Sequence, residues 1–102
     1  MDCQHHFLIL SAIILIMWFI YVIKNTHSKE IYIGKTNNFR RRLSEHNRGN
    51  QLSTKRKYGD WIPIYLEIYR SKKDADEREL KLKQHGRAKQ ELLKRIKNCL
   101  II

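Results

Sequence analysis

The chain has 102 residues, 42% of them hydrophobic, and a formal net charge of +11. That length leaves room for one domain with a modest core, and the charge favours a polyanionic partner, nucleic acid before membrane, although a ribosomal-type basic protein would look the same. Its two cysteines, Cys3 and Cys99, lie near opposite ends, which excludes a disulfide framework and a zinc-ligand spacing and suits a reducing compartment.

From Phe7 to Ile23 the chain reads FLILSAIILIMWFIYVI, 17 residues without a charge, at the lower limit for spanning a bilayer. Asp2, His5 and His6 precede the run in place of a Lys/Arg cluster, and no small-residue cleavage site is present, so it does not read as a signal peptide. Three readings stand: a membrane anchor over residues 7–23, an added helix or strand packed on the domain, or a segment foreign to the native protein, with translation starting at Met17. The last is preferred, because Trp18–Ile23 is needed as a core strand and cannot sit in a sheet and in lipid at once. The chain then divides into an apolar extension, residues 1–16, and a domain, residues 17–102. The expected location is cytoplasmic, with membrane association through the apolar run as the alternative.

Aromatic and β-branched residues make Trp18–Lys24 a strand. Asn25-Thr26-His27-Ser28 is turn chemistry, and Lys29–Gly34 a second short strand. If those four residues are the loop, Lys24 opposes Lys29 and Tyr21 falls directly across from Tyr32, with Cβ atoms about 5 Å apart on one face. A one-residue slip would send the rings to opposite faces. Paired tyrosines are also ordinary hairpin packing.

Thr36-Asn37-Asn38 offers helix N-caps and Gly49 a stop. Between them Phe39 and Leu43 are apolar anchors, and Arg42 and His46, four residues apart, present their heads to one spot. Arg40, Arg41 and Arg48 add charge around the helix. Such a helix is usually a solvated face, but beside two phenols it suits phosphate contact. The polar stretch Asn50–Asp60 carries Lys55, Arg56 and Lys57 in a row, an arm for a nucleic-acid backbone or a plain loop.

Ile62–Tyr69 alternates as a half-buried strand, with Ile62, Ile64, Leu66 and Ile68 on one face and Tyr65, Glu67 and Tyr69 on the other. Pro63 puts its start at an edge or end. Ser71…Asp74 opens the next helix with a capping pattern. Of its acids, Glu79 falls on the stripe that should face the sheet, whereas Glu77 turns away. An inward glutamate needs a cation; a divalent metal and Arg42 are the candidates. The helix stops near His85-Gly86. A last basic helix, from Arg87 to about Asn98, carries Leu92, Leu93 and Ile96 as its apolar side.

Two phenols, a guanidinium, an imidazole and an acid in this order meet the needs of phosphodiester cleavage: a base, a cationic clamp and a carboxylate for a metal. On Ile20-Tyr21, Tyr32-Ile33-Gly34, Arg42 and His46 within Arg-Arg-Leu-Ser-Glu-His, and Glu79 within Ala75-Asp-Glu-Arg-Glu79, the chain resembles the GIY-YIG nuclease domain from about Met17 to Leu100. It is similar to the small stand-alone bacterial and phage members, which share the flavour of His46-Asn-Arg-Gly49, Ser53-Thr-Lys55 and Gly86-Arg87…Leu93-Lys-Arg-Ile96. It departs at Phe19, where the family name has its first glycine.

The resemblance implies an α+β fold: a small three-stranded antiparallel sheet flanked by helices. The element order read from the residues, β-β-α-β-α-α, agrees. It also implies a metal-dependent endonuclease acting on DNA, with RNA left open. One divalent ion, magnesium by expectation, would be held by Glu79 and phosphate oxygens. Tyr21 would help activate water, with Tyr32 and His46 sharing proton traffic, and Arg42 would stabilise the scissile phosphate. Lys35, Arg41, Lys55, Arg56 and Lys57 are the expected nucleic-acid contacts. A non-catalytic nucleic-acid-binding module of the same fold and a membrane-tethered basic protein are the alternatives.

Overall fold

The computed structural model describes residues 16–49 and 59–102. Its elements run β1 (Trp18–Asn25), β2 (Ile31–Thr36), α1 (Phe39–Asn47), β3 (Trp61–Tyr69), α2 (Lys72–Lys83) and α3 (Arg87–Arg95), followed by a short 3-10 turn over Cys99–Ile101. The three strands form one antiparallel sheet in the order β2-β1-β3. This is the expected α+β architecture. Trp18–Ile23, the second half of the long apolar run, lies in the central strand. Among the described residues no helix is long and apolar enough to cross a membrane. Residues 1–15, with most of the proposed extension, lie outside the described residues.

Side chains alternate across the central strand, so β1 feeds two cores. Ile20 and Val22 pack with Ile33, Ala75, Leu82, Leu92 and Ile96 beneath α2 and α3. Tyr21 and Ile23 pack with Trp61, Tyr32, Phe39 and Leu43 beneath α1. The sheet therefore carries α1 on one face and the α2–α3 pair on the other.

The helix boundaries follow local chemistry. Asn38 caps α1 by accepting the Arg41 N–H at 3.1 Å, and Gly49 leaves the helix at φ 72. Ser71 caps α2 by accepting the Asp74 N–H. The last helix is shorter than expected: α3 ends at Arg95, and the chain tightens into the 3-10 turn.

The hairpin register differs from the sequence expectation. Tyr21 pairs with Gly34 and Tyr32 with Ile23, so the tyrosines are diagonal rather than opposite. The cause is Asn25. Its Oδ1 accepts the N–H groups of His27 and Ser28, each at 2.9 Å, and its backbone N–H bonds the Glu30 carbonyl. Asn25 is thereby the last ladder residue, and the four-residue loop moves one position to Thr26–Lys29, where Lys29 takes a φ of 66. The slip shifts each partner by two, which keeps both rings on the α1 face.

The clean alternation expected along β3 is also broken. The apolar residues Leu66 and Ile68 are exposed, whereas Tyr65 and Tyr69 pack on the core under α2 and α3. A bulge between the partners of Val22 and Ile23 inserts Ile64, and it turns Trp61 into the α1-side core. Glu67, between the two tyrosines, is tolerated inside because Arg78 of α2 forks onto it. Arg78 Nε donates to Glu67 Oε1 and Nη2 to Oε2, each at 2.9 Å. The Tyr65 and Tyr69 hydroxyls donate to the same carboxylate at 2.9 and 2.7 Å. All the lone pairs such a group needs filled are met within one layer.

Candidate active site

Tyr21 lies at the middle of the central strand and is 1% exposed. Its ring crosses the backbone of Gly34 on β2: a Cβ built there would overlap the Tyr21 hydroxyl and ring. Glycine at 34 is what lets the phenol lie flat against the edge strand. From the other side His46 of α1 comes down on it. Tyr21 Oη and His46 Nε2 are 2.8 Å apart. Tyr32 completes the cluster, its ring 6.1 Å from Tyr21 and 4.8 Å from His46. Phe39 closes the inner side, 5.5 Å from Tyr21. The C-terminal end of α1 is held to β3 by Asn47, which accepts the Trp61 N–H at 2.7 Å and donates to the Trp61 carbonyl at 3.2 Å.

Burial sets the protonation states. It pushes the Tyr21 phenol well above its ordinary range; the Tyr32 phenol adds to this, and so do the acids Glu79 and Glu45, while Arg42 opposes it. Burial, with Arg42 next, pulls the His46 imidazole below its usual value, partly offset by Glu45. At neutral pH the cluster holds a protonated phenol against a neutral imidazole, the pairing in which a phenol can hand a proton to a ring nitrogen.

Arg42, one turn before His46, is one-third exposed and its Nη1 donates to Glu45 Oε2 at 3.1 Å. Its Nε is buried and has no hydrogen-bond partner among the described residues. A buried charged donor left open is costly unless a ligand fills it, and one edge of a guanidinium matches two oxygens of a phosphate. Arg42 is not the cation that meets Glu79, as one sequence reading had it.

Glu79 lies on α2, the helix on the far face of the sheet, and comes to the outer edge at β2. Its carboxylate stands 3.6 Å from the ammoniums of Lys35 and Lys83. Lys83 Nζ in turn lies 5.5 Å over the Tyr32 ring. Glu79 thus borders the phenol cluster through Lys83 and through its own field at Tyr21. Lys35 also holds Asp76 in an ion pair, and that hydrogen bond raises the pKa of the ammonium.

Among the described residues no three His, Cys, Asp or Glu side chains converge as a metal cage. The site at Glu79 offers a single carboxylate, 23% exposed and bordered by two ammoniums, so a hard cation held there would need those ammoniums to move and would take its remaining ligands from water or phosphate. A single carboxylate does not suit a zinc site. Of the expected nucleic-acid contacts, Arg41 is exposed on α1 and 3.5 Å from Glu45. Lys35 is engaged as described. Lys55, Arg56 and Lys57 lie outside the described residues.

Three contributors escaped the sequence reading. Glu45 holds Arg42 and Arg41, and Lys83 meets Glu79; both were legible as helical i, i+3 and i, i+4 pairs. The Glu67–Arg78 fork had only a weak signal, an acid between two tyrosines in a strand.

A family model described as the GIY-YIG catalytic domain matches residues 17–92. An uncharacterized protein of Acanthamoeba polyphaga mimivirus is 46% identical over 59 residues, covering 54% of this chain and 36% of the viral protein. The chain therefore spans about a third of the length of that relative. No solved structure matches.

Proposed function

The chain belongs to the GIY-YIG catalytic domain family over residues 17–92, a nuclease family, and from that premise we propose that it is a metal-dependent endonuclease hydrolysing phosphodiester bonds of DNA. The observation that carries the reading is the 2.8 Å contact between Tyr21 Oη and His46 Nε2, one helical turn from a guanidinium whose Nε is buried and open.

Tyr21 is the group that activates water. With its pKa raised by burial it holds no standing phenolate. It acts as a relay instead: its own proton passes to the neutral Nε2 of His46 as its oxygen takes one from the attacking water. Tyr32 lies against His46 and shields the imidazolium that forms. Arg42 receives the non-bridging phosphate oxygens and stabilises their growing charge. Glu79, on the β2 edge, is the residue to hold a divalent cation such as magnesium. When bound, that ion neutralises negative charge on the phosphate. Lys35, beside Asp76 and Glu79, is assigned to the nucleic-acid backbone together with Arg41, Lys55, Arg56 and Lys57. The commitment of Trp18–Ile23 to β1 supports a domain that begins at Met17 and argues against those residues lying in a membrane; a cytoplasmic location is part of the same proposal.

The test is a cleavage panel of single-stranded, duplex, flap and junction DNA, with RNA counterparts, with and without magnesium. Wild-type protein should cut at least one DNA substrate only with metal, and Tyr21→Phe and Glu79→Ala should not. DNA binding without cutting by any form would make the chain a non-catalytic binding module. Equal cutting by wild type and variants would trace the activity to a contaminant.

A further inference from the structure

The acids of α2 that reach the β2 edge compete for one ammonium. Lys35, on β2, is paired with Asp76 Oδ1 and stands 3.6 Å from Glu79 Oε1, beyond the length of a normal hydrogen bond. The Asp76 hydrogen bond comes first among the causes that raise the Lys35 pKa. Asp76 is itself held from a second side, its Oδ2 accepting from Lys72 Nζ at 3.0 Å. Both ammoniums lie over the Trp18 ring, Lys35 at 6.0 Å and Lys72 at 5.4 Å from its centre. Asp76 and Glu79 are three residues apart on one helix, so a single ammonium is within reach of both. The other oxygen of Glu79 has a comparable neighbour in Lys83, which lies at 3.6 Å and is shared with the Tyr32 ring.

We propose that Asp76 is a positioning residue: it draws the Lys35 ammonium away from Glu79 and so keeps that carboxylate open to a cation. The proposal rests on the reading of Glu79 as the residue that holds the divalent ion. An ammonium seated directly on Glu79 would occupy its lone pairs and repel a second cation. Three features favour Asp76 in the competition: its closer contact, the Lys72 ammonium that fixes its second oxygen, and the Trp18 face under both lysines. Both Asp76 oxygens are engaged, so Asp76 acts through Lys35 and not as a second ligand. Glu77, the next residue, carries the same charge on the exposed side of the helix and separates the effect of charge from that of contact.

The experiment follows the amide signals of residues 75–83 in the full chain as magnesium is added, without nucleic acid. Asp76→Ala should weaken magnesium affinity about tenfold, within the coupling expected of residues in one ion-pair network, and Glu77→Ala should leave it unchanged. Lys35→Met should tighten binding, and in that background Asp76→Ala should have little further effect. A crystal structure of metal-free Asp76→Ala should place Lys35 Nζ within hydrogen-bond distance of Glu79. An equal loss from Asp76→Ala with and without Lys35 would overturn the positioning role, because the acid would then act by its own charge or as a ligand. So would a loss at Glu77→Ala as large as that at Asp76→Ala, or a lysine that stays off Glu79 once Asp76 is gone. Magnesium binding by Glu79→Gln equal to wild type would remove the metal assignment and the positioning role with it. Failure of the Asp76 variants alone would remove the positioning role and leave the metal assignment standing.

Discussion

Gly34 and Tyr21 are cross-strand partners in which one residue has no side chain so that the other can occupy its place. The phenol lies over the glycine backbone, and that position sets its 2.8 Å approach to His46. Gly34→Ala should push the ring away or spread β1 from β2. Overpacking of this kind costs about 1–3 kcal/mol. Urea denaturation should show that loss, and cleavage should fall further than stability alone accounts for. An alanine variant of wild-type stability and rate would mean that the ring does not depend on this glycine.

His46 gives the molecule a pH dependence of definite sign. Its pKa is depressed in the fold from an ordinary 6.5, so the unfolded chain binds a proton more readily. The stabilisation is whole above the ordinary value and is lost as pH falls through it towards the folded value. Melting temperature measured from pH 8 to pH 5 should drop on the acid side, and His46→Gln should flatten that slope. Turnover should fall at the acid end of that window, where the imidazole in the folded protein itself takes up a proton and can no longer accept the one from Tyr21.

Arg42→Lys tests the clamp. An ammonium cannot reproduce the two-pronged contact with phosphate. Loss of a donor to a developing oxyanion costs roughly 10²–10³ in rate, and the circular dichroism spectrum should not change. Wild-type turnover by the lysine variant would refute the role.

The two acids of α2 should behave oppositely. Glu79→Ala should abolish cleavage at any magnesium concentration and leave the melting temperature within a few degrees. Glu77→Ala, on the exposed side of the helix, should be near silent. Complete loss at Glu77 would show that the wrong acid has been assigned.

Glu67 and Arg78 carry the architecture rather than the chemistry. Burial alone would raise the Glu67 pKa, but hydrogen bonds from Arg78, Tyr69 and Tyr65 outweigh it and hold the carboxyl below its usual range. Their stabilisation is complete above the ordinary carboxylate value of 4.5 and lost as pH falls below it. Glu67→Gln keeps the shape and removes the charge. It should cost about 2–3 kcal/mol, in the range for charge-assisted hydrogen bonds in a part-buried setting, and should flatten the acid limb of unfolding below pH 4.5. A glutamine variant as stable as wild type across that range would show that the fork contributes nothing.

Much of this molecule was legible because it is local. Asn38 and Ser71 announced their helices, Gly49 ended one, and the four-residue spacing of Arg42 and His46 put both on one side of α1. Those signals depend on backbone geometry within a turn or two, which a sequence carries directly. The hairpin register did not follow from loop length, since a single Asn25 side chain bonding two backbone N–H groups moved the loop by one residue. Alternation along β3 was visible, but not its orientation. Leu66 and Ile68 share the α1 face with their partners Tyr21 and Phe19 yet stay exposed there, whereas Tyr65, Glu67 and Tyr69 lie under α2 and α3, where Arg78 satisfies Glu67. Glu79 was singled out by its place on a helix stripe, yet its neighbours Lys35 and Lys83 and its reach around the β2 edge depended on how α2 lies across the sheet. Short-range hydrogen bonding and periodicity are written into the chain; which faces meet, and which charges find each other, is settled only when distant segments compete for the same buried surface.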